Sequence, residues 1–217
     1  MGGANTVIAN RDFPAIIKAF PGKVYLCFNH EASNWKSEQN GTSQQYIAAW
    51  HKFYDVFKAR HVKNVIWTWI MGDPTPWEVP KTDRRYAPKW YPGNKYTDVL
   101  AVDVYNWSAC NNGSTPWRSF ADLTSKFLAF AAKHPTKPTM VTEFGTGEQP
   151  GNPDGKADWI TQMGEDVKSW NNLQALMSFD SQYNNNPGCH WWLDSSPQSL
   201  AAARALANQP YFGGPGT

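Results

Sequence analysis

Two glutamates stand where a carboxyl pair could do paired acid–base and nucleophilic work. Glu31 follows an apolar run in FNHEASNW, and Glu143 ends another in VTEFG. Hydrolysis of a glycosidic bond needs such a pair: one carboxyl protonates the leaving oxygen while the other attacks the anomeric carbon or activates water. The acid of the pair must keep its proton near neutrality, which apolar or like-charged surroundings achieve. A single glutamate at a strand end is most often a solvated loop carboxylate. Two of them, each in an apolar-then-polar setting flanked by aromatics, favour chemistry. His30 sits beside Glu31, and Asp103 lies two residues before Tyr105 in VLAVDVY, so these two share a strand face. By itself Asp103 reads equally as a buried carboxylate inside the fold. Asp180 ends a later apolar run, whereas Asp73, Glu78 and Glu148 read as loop charges.

The glutamates are far apart in the chain, so the elements between them must bring them together. Apolar β-rich runs at Val24–Asn29, Asn64–Ile70, Asp98–Tyr105, Pro138–Phe144 and Gln174–Asp180 predict strands. Helical spacing of apolar residues marks Gln44–Arg60, Trp117–His134, Ala157–Asn171 and Ser199–Asn208. Strands alternating with long helices predict an α/β fold with a parallel sheet. The long loops follow strands and the short ones follow helices. That asymmetry suits a TIM (β/α)8 barrel, whose working groups stand at the C-terminal ends of its strands. No stretch reads as a linker, so residues 1–217 are taken as one domain.

Composition narrows the partners. Twenty Lys+Arg against 18 Asp+Glu leave a formal charge of +2, which gives no reason to expect nucleic acid or an anionic membrane. No apolar run approaches the ~20 residues of a membrane span. Aromatics make up 15% of the chain, 12 of them Trp, which suits flat platforms for the apolar faces of sugar rings. Trp69, at the end of its strand, is a candidate platform, with Trp67 on the same face or pointing inward. Trp107, Trp191 and Trp192 lie near cleft-side loops, while Trp50, Trp159 and Trp170 fall in helices and read as packing. The three cysteines make no zinc-like spacing with the five histidines. With no phosphate loop or Ser-His-Asp order either, neither metal nor cofactor is expected. Cys27 reads as a small core residue. Cys110 and Cys189 lie in polar loops, where a disulfide between them is an open alternative.

Four segments carry a family resemblance: VYLCFNHEASNW, YIAAWHKFYDVFKARHVKNVIWTWI, YPGNKYTDVLAVDVYNW and KPTMVTEFGT, with the tail WWLDSSPQSLAAARALANQPYF. In order and spacing they resemble glycoside hydrolase family 26, the β-mannanase-like retaining (β/α)8-barrel enzymes, over about residues 10–212. The resemblance implies Glu31 as general acid/base and Glu143 as nucleophile. It also implies His30 and Trp35 beside the acid/base, and Tyr105 hydrogen-bonding the nucleophile. It further implies an extracellular monomer acting on a β-1,4-linked polysaccharide. The N-terminus itself shows no signal-peptide pattern.

Matched onto that family, Val24–Asn29 corresponds to strand four, and residues 1–22 supply at most the preceding helix. The expectation is therefore an incomplete barrel, with strands four to eight present and the first third absent. Such a chain would be either a catalytic fragment or a non-catalytic, carbohydrate-binding relic. Survival of both glutamates favours the former.

Overall fold

The computed structural model describes residues 12–34, 41–72, 74–108, 110, 115–170, 172–181 and 189–213. Five parallel strands form one sheet in sequence order: β1 (Val24–Leu26), β2 (Val65–Gly72), β3 (Val99–Asn106), β4 (Thr139–Thr146) and β5 (Leu173–Ser178). The helices are α1 (Phe13–Ala19), α2 (Ser43–Ala59), a single turn α3 (Thr75–Glu78), α4 (Phe120–Ala131), α5 (Gly155–Asp166) and α6 (Pro197–Ala207). Each expected strand is present, although β1 is limited to three residues. The loop after β2, read from sequence as irregular, contains α3 and two 3₁₀ turns, Ala87–Trp90 and Asn94–Tyr96.

Local chemistry explains where the helices begin. Thr42 opens α2 with a capping box: its hydroxyl accepts from the Gln45 amide, and the Gln45 side chain accepts from the Thr42 amide. Ser119 and Ser196 cap α4 and α6 by accepting from the amides of Asp122 and Ser199, and Pro197 occupies the first helical position of α6, where no amide is needed.

Strand parity then separates two faces. Trp67, Trp69 and Met71 of β2, with Leu100, Val102 and Val104 of β3, join a helix-side core with Trp50, Phe57 and Phe127. Ile66 and Ile70 alternate with them and meet Val99, Ala101 and Met140 on the opposite, concave face. The sheet curls around this face: the Tyr25 hydroxyl, on the first strand, donates to the Gln174 side chain on the last at 3.3 Å. The result is half of a barrel wall, an α/β arrangement consistent with an incomplete barrel. Among the described residues, no helix is long and apolar enough to cross a membrane.

Most of the tryptophans belong to the helix-side core and not to a sugar cleft. Trp50, Trp67, Trp69, Trp77, Trp90, Trp159 and Trp170 are all buried there. Several use the indole N–H to fasten loops: Trp50 donates to the Tyr96 carbonyl at 2.8 Å, Trp90 to Arg84 at 2.8 Å and Trp159 to Arg118 at 2.9 Å. A large apolar body with one polar handle suits that task.

Candidate active site

The site lies at the C-terminal ends of the strands. In register, Gly72 of β2 pairs with Asp103 of β3, and Asp103 pairs with Glu143 of β4. These three form a lateral row on the concave face. The pairing skips Thr142, because Val102 meets Val141 and Asp103 meets Glu143. An extra residue of this kind re-aims its neighbours. Here it leaves both Thr142 and Glu143 on the concave side, and Phe144 returns to the helix-side core.

Glu31 arrives from the turn after β1. Asn29 and Glu31 both adopt left-handed backbone, with φ of 54° and 49°. Asn tolerates that region; for Glu it stores strain, of the kind that concentrates at functional sites. The turn lays the Glu31 carboxylate over Gly72, so closely that a Cβ there would stand 2.3 Å from Glu31 Oε1. Gly72 is therefore the seat of Glu31, and the row becomes Glu31, Asp103, Glu143.

Asp103 is fully buried and organises the row. It accepts from the Thr142 hydroxyl at 2.6 Å and from His30 Nε2. The carboxylate of Asp103 raises the pKa of His30 to about 9 against the opposing effect of burial, so His30 carries a positive charge at neutral pH. Tyr105 donates to Glu143 Oε2 at 2.5 Å. Burial pushes the pKa of both glutamates up, and the charge of Asp103 adds to this. They differ in what opposes the shift. Glu143 is held down first by the Tyr105 hydrogen bond, whereas Glu31 is held down first by the charge of His30 and then by a long hydrogen bond of 3.5 Å from Asn34. His30, Asp103 and Glu143 also place three ligand-type atoms within 4.8 Å of one another. A direct hydrogen bond joins His30 to Asp103 within this group.

Glu31 and Glu143 line a cavity of about 530 Å³ together with Tyr105, Trp107, Trp191, Phe179, Asn34 and Arg85. Tyr105, Trp107 and Trp191 form one aromatic wall, with Trp191 centred 5.0 Å from Tyr105 and 5.1 Å from Trp107. The wall closes over Gly145, where a Cβ would come within 3.0 Å of both Trp191 and Tyr105. Arg85, which also lines the cavity, is held by Asp83, with Nη2 to Oδ2 at 2.8 Å.

Residues 25–143, more than half of the chain, match glycosyl hydrolase family 26. The chain belongs to this family. The family 26 chain is 30% identical over 202 residues to Endoglucanase H of Acetivibrio thermocellus, covering 87% of this chain and 20% of that protein. Its fold is similar to the catalytic domain of the Bacillus sp. JAMB-750 endo-β-1,4-mannanase (TM-score 0.63, 18% identity, 87% of this chain and 50% of that one). It is also similar to the GH26 β-mannanase of Bacteroides ovatus (TM-score 0.59, 20% identity, 87% of this chain and 51% of that one). The chain thus spans about half the length of these solved structures and a fifth of the curated relative.

Of the residues singled out from sequence, Glu31, His30, Tyr105 and Glu143 come together in this family 26 chain. Trp69 does not. It is fully buried on the helix side, against Trp77, Tyr91 and Phe130, and has no face to offer a sugar. The reason is parity: Trp69 stands one residue from Ile70 and points to the opposite side of the sheet. Trp67 is likewise core. Trp35 and Asp73 lie outside the described residues. Trp107, 39% exposed, is the open tryptophan face at the cavity, and Trp191, which also lines it, is 3% exposed and backs that face from a small cluster with Cys110 and Cys189. Trp192 and Asp180 line a separate groove beside α6, and Asp180 accepts from the Leu193 amide at 2.9 Å. Glu148 is not a free loop charge but accepts from Ser195 and Ser199. Cys110 and Cys189 form a disulfide. Cys27 is half-buried and free on the concave face, its thiol pushed up to about 12 by burial. Arg85, Thr142 and the two glycines were not singled out. Asp83 two residues before Arg85 was the only local sign of a fixed guanidinium.

Proposed function

We propose that this chain is the catalytic part of an endo-acting, retaining glycoside hydrolase that cleaves β-1,4-linked polysaccharide, mannan first among the substrates. The observation that carries this reading is the row of Glu31 over Gly72, Asp103 and Glu143, with both glutamates on one cavity. Unequal surroundings give the two carboxyls unequal roles. Glu143, anchored by Tyr105, is the nucleophile: its carboxylate attacks the anomeric carbon as the glycosidic C–O bond breaks, leaving a covalent glycosyl–enzyme. Glu31, desolvated and weakly hydrogen-bonded, donates its proton to the departing oxygen. It then takes a proton from the water that releases the sugar, so the anomeric configuration is retained. His30, held by Asp103, balances the charge beside Glu31. Trp107 offers its face to sugar rings, with Trp191 packed behind it.

The name of the curated relative points to glucan and those of the solved structures to mannan. The assay therefore compares mannan, glucomannan and mixed-linkage β-glucan with the wild-type chain, Glu31→Ala and Glu143→Ala. The expected result is oligosaccharide release by the wild type, β-configured first products by NMR, and loss of rate in both variants with binding retained. Equal rates in all three proteins, or α-configured first products, would overturn the assignment. The Cys110–Cys189 disulfide is consistent with a secreted, extracellular protein. A binding-only reading draws on the open concave face, where Tyr25 is 47% and Met177 42% exposed; it predicts glycan binding without turnover.

A further inference from the structure

Lys156 is the buried charge that the chemistry above does not use. It begins α5 behind the active site, and its side chain is almost wholly removed from solvent. A buried ammonium is costly unless its protons are taken up. All three are: Nζ donates to the His190 carbonyl at 2.8 Å, the Trp192 carbonyl at 2.8 Å and Ser195 Oγ at 2.9 Å. Ser195 Oγ passes a hydrogen bond on to Glu148 at 2.5 Å, and Glu148 also accepts from Ser199 at 3.0 Å in the first turn of α6.

The two carbonyls belong to the residues immediately before and after Trp191. A point charge with three donors thus grips the backbone on both sides of one cleft-wall indole. The same segment is tied at Cys189 to Cys110, beyond Trp107 on the loop after β3. Trp191 has little surrounding secondary structure to place it: residues 189–193 lie in no helix or strand, and α6 starts only at Pro197. Its plane against Tyr105 and over Gly145 depends on these attachments, together with the hydrogen bond of the Leu193 amide to Asp180.

We propose that Lys156 is a positioning residue for glycan binding, fixing Trp191, the buried indole that backs Tyr105 and Trp107 in the aromatic wall of the cavity. This rests on the hydrolase reading for its consequence, but not for its structural content. The test compares Lys156→Met, which keeps the length and removes the donors, with the milder Ser195→Ala, which deletes one of the three acceptors. Amide hydrogen exchange reads residues 189–196 directly, and steady-state kinetics on mannan-derived oligosaccharide reads the consequence. Lys156→Met should speed exchange in 189–196 about tenfold while β3 and β4 keep their protection. It should raise KM several-fold with kcat within about twofold, because an aromatic wall that binds ground and transition states alike acts on KM. Ser195→Ala should shift both in the same direction by less. Wild-type exchange in 189–196 in both variants, or a fall in kcat with KM unchanged, would overturn the role. If Lys156→Met does not fold, Ser195→Ala decides the matter alone. Failure of the wild-type chain to turn over any glycan would count against the hydrolase reading, while the exchange data would still decide for or against Lys156.

Discussion

The two faces of the sheet are built on opposite plans. The helix side is a continuous aromatic and aliphatic core: Trp69 packs on Trp77 and Phe130, Trp67 on Phe53 and Phe57, and Phe120 on Trp159 and Trp170. The concave side has a modest apolar patch of Val99, Ala101 and Met140, and then, toward the strand ends, a row of charged groups wired to one another. One face supplies free energy by excluding water. The other consumes some of it by holding three carboxylates and a charged His30 in a partly desolvated cleft. Residues of the same type therefore have different meanings on the two sides: a tryptophan is core at position 69 and an exposed cleft wall at position 107.

Substitutions on the two faces should separate stability from rate. The largest effect is expected from Glu143→Ala, a loss of at least about a thousandfold in kcat, since the proposed covalent step cannot form without that carboxylate. Its thermal midpoint should stay within a few degrees of wild type by calorimetry; a comparable fall in stability would mean that the concave face is structural as well. Trp69→Ala should do the reverse and cost about 3–5 kcal/mol of stability by denaturant titration, the usual range for emptying a large aromatic site. Its remaining folded fraction should retain the wild-type kcat. A selective loss of glycan affinity in that variant would restore Trp69 as a binding residue.

Gly72→Ala tests the seat of Glu31. Its Cβ would meet the carboxylate at 2.3 Å, so the flexible end of Glu31 must move away. A fall of about 10–100-fold in kcat/KM is expected, with little change in midpoint, because a misplacement of about 1 Å can cost 100-fold in rate. Retention of full rate would show that Glu31 does not work from this position.

The smallest effect is one of pH. Burial raises the pKa of Glu31, so the folded state favours its neutral form. Ionisation of Glu31 therefore subtracts stability as pH rises through its native pKa, and removing the charge should restore it. Glu31→Gln should melt a few degrees higher than wild type at pH 7, with the advantage fading below about pH 4, where the carboxyl is protonated in both states. His30 works in the opposite sense. Its pKa is raised to about 9, so its contribution is complete below about 6.5 and is lost as pH climbs through 9. A melting curve of His30→Asn should accordingly converge on wild type at high pH.

Strand and helix order, the parallel sheet and the gathering of Tyr105 and Glu143 in the C-terminal halves of their strands are legible in the residues alone, whereas Glu31 stands in the turn after β1 and Glu143 inside β4, three residues before its end. Apolar period and helix capping are local, and a strand's end is where its apolar run stops. Which face a residue takes was not legible for β2. In NVIWTWI both faces are apolar, as is usual for strands covered on both sides, so period two has no contrast to work with. The sequence therefore leaves Trp69 a candidate for the cleft, and only its parity in the folded sheet places it in the core. The skipped Thr142 is a property of pairing between two strands, and no single strand encodes it. Gly72 acquires its meaning only from a glutamate that arrives from a different βα unit. Lys156 reads in sequence as an ordinary charge at the start of a helix; only tertiary packing surrounds it with the two carbonyls that flank Trp191. The sequence by itself determined the order of elements and the kinds of groups at their ends, because those depend on neighbours along the chain. Tertiary structure alone decided which carboxylates share a cavity, which aromatic rings reach it and what holds them there, because those contacts join residues that only the folded sheet makes adjacent.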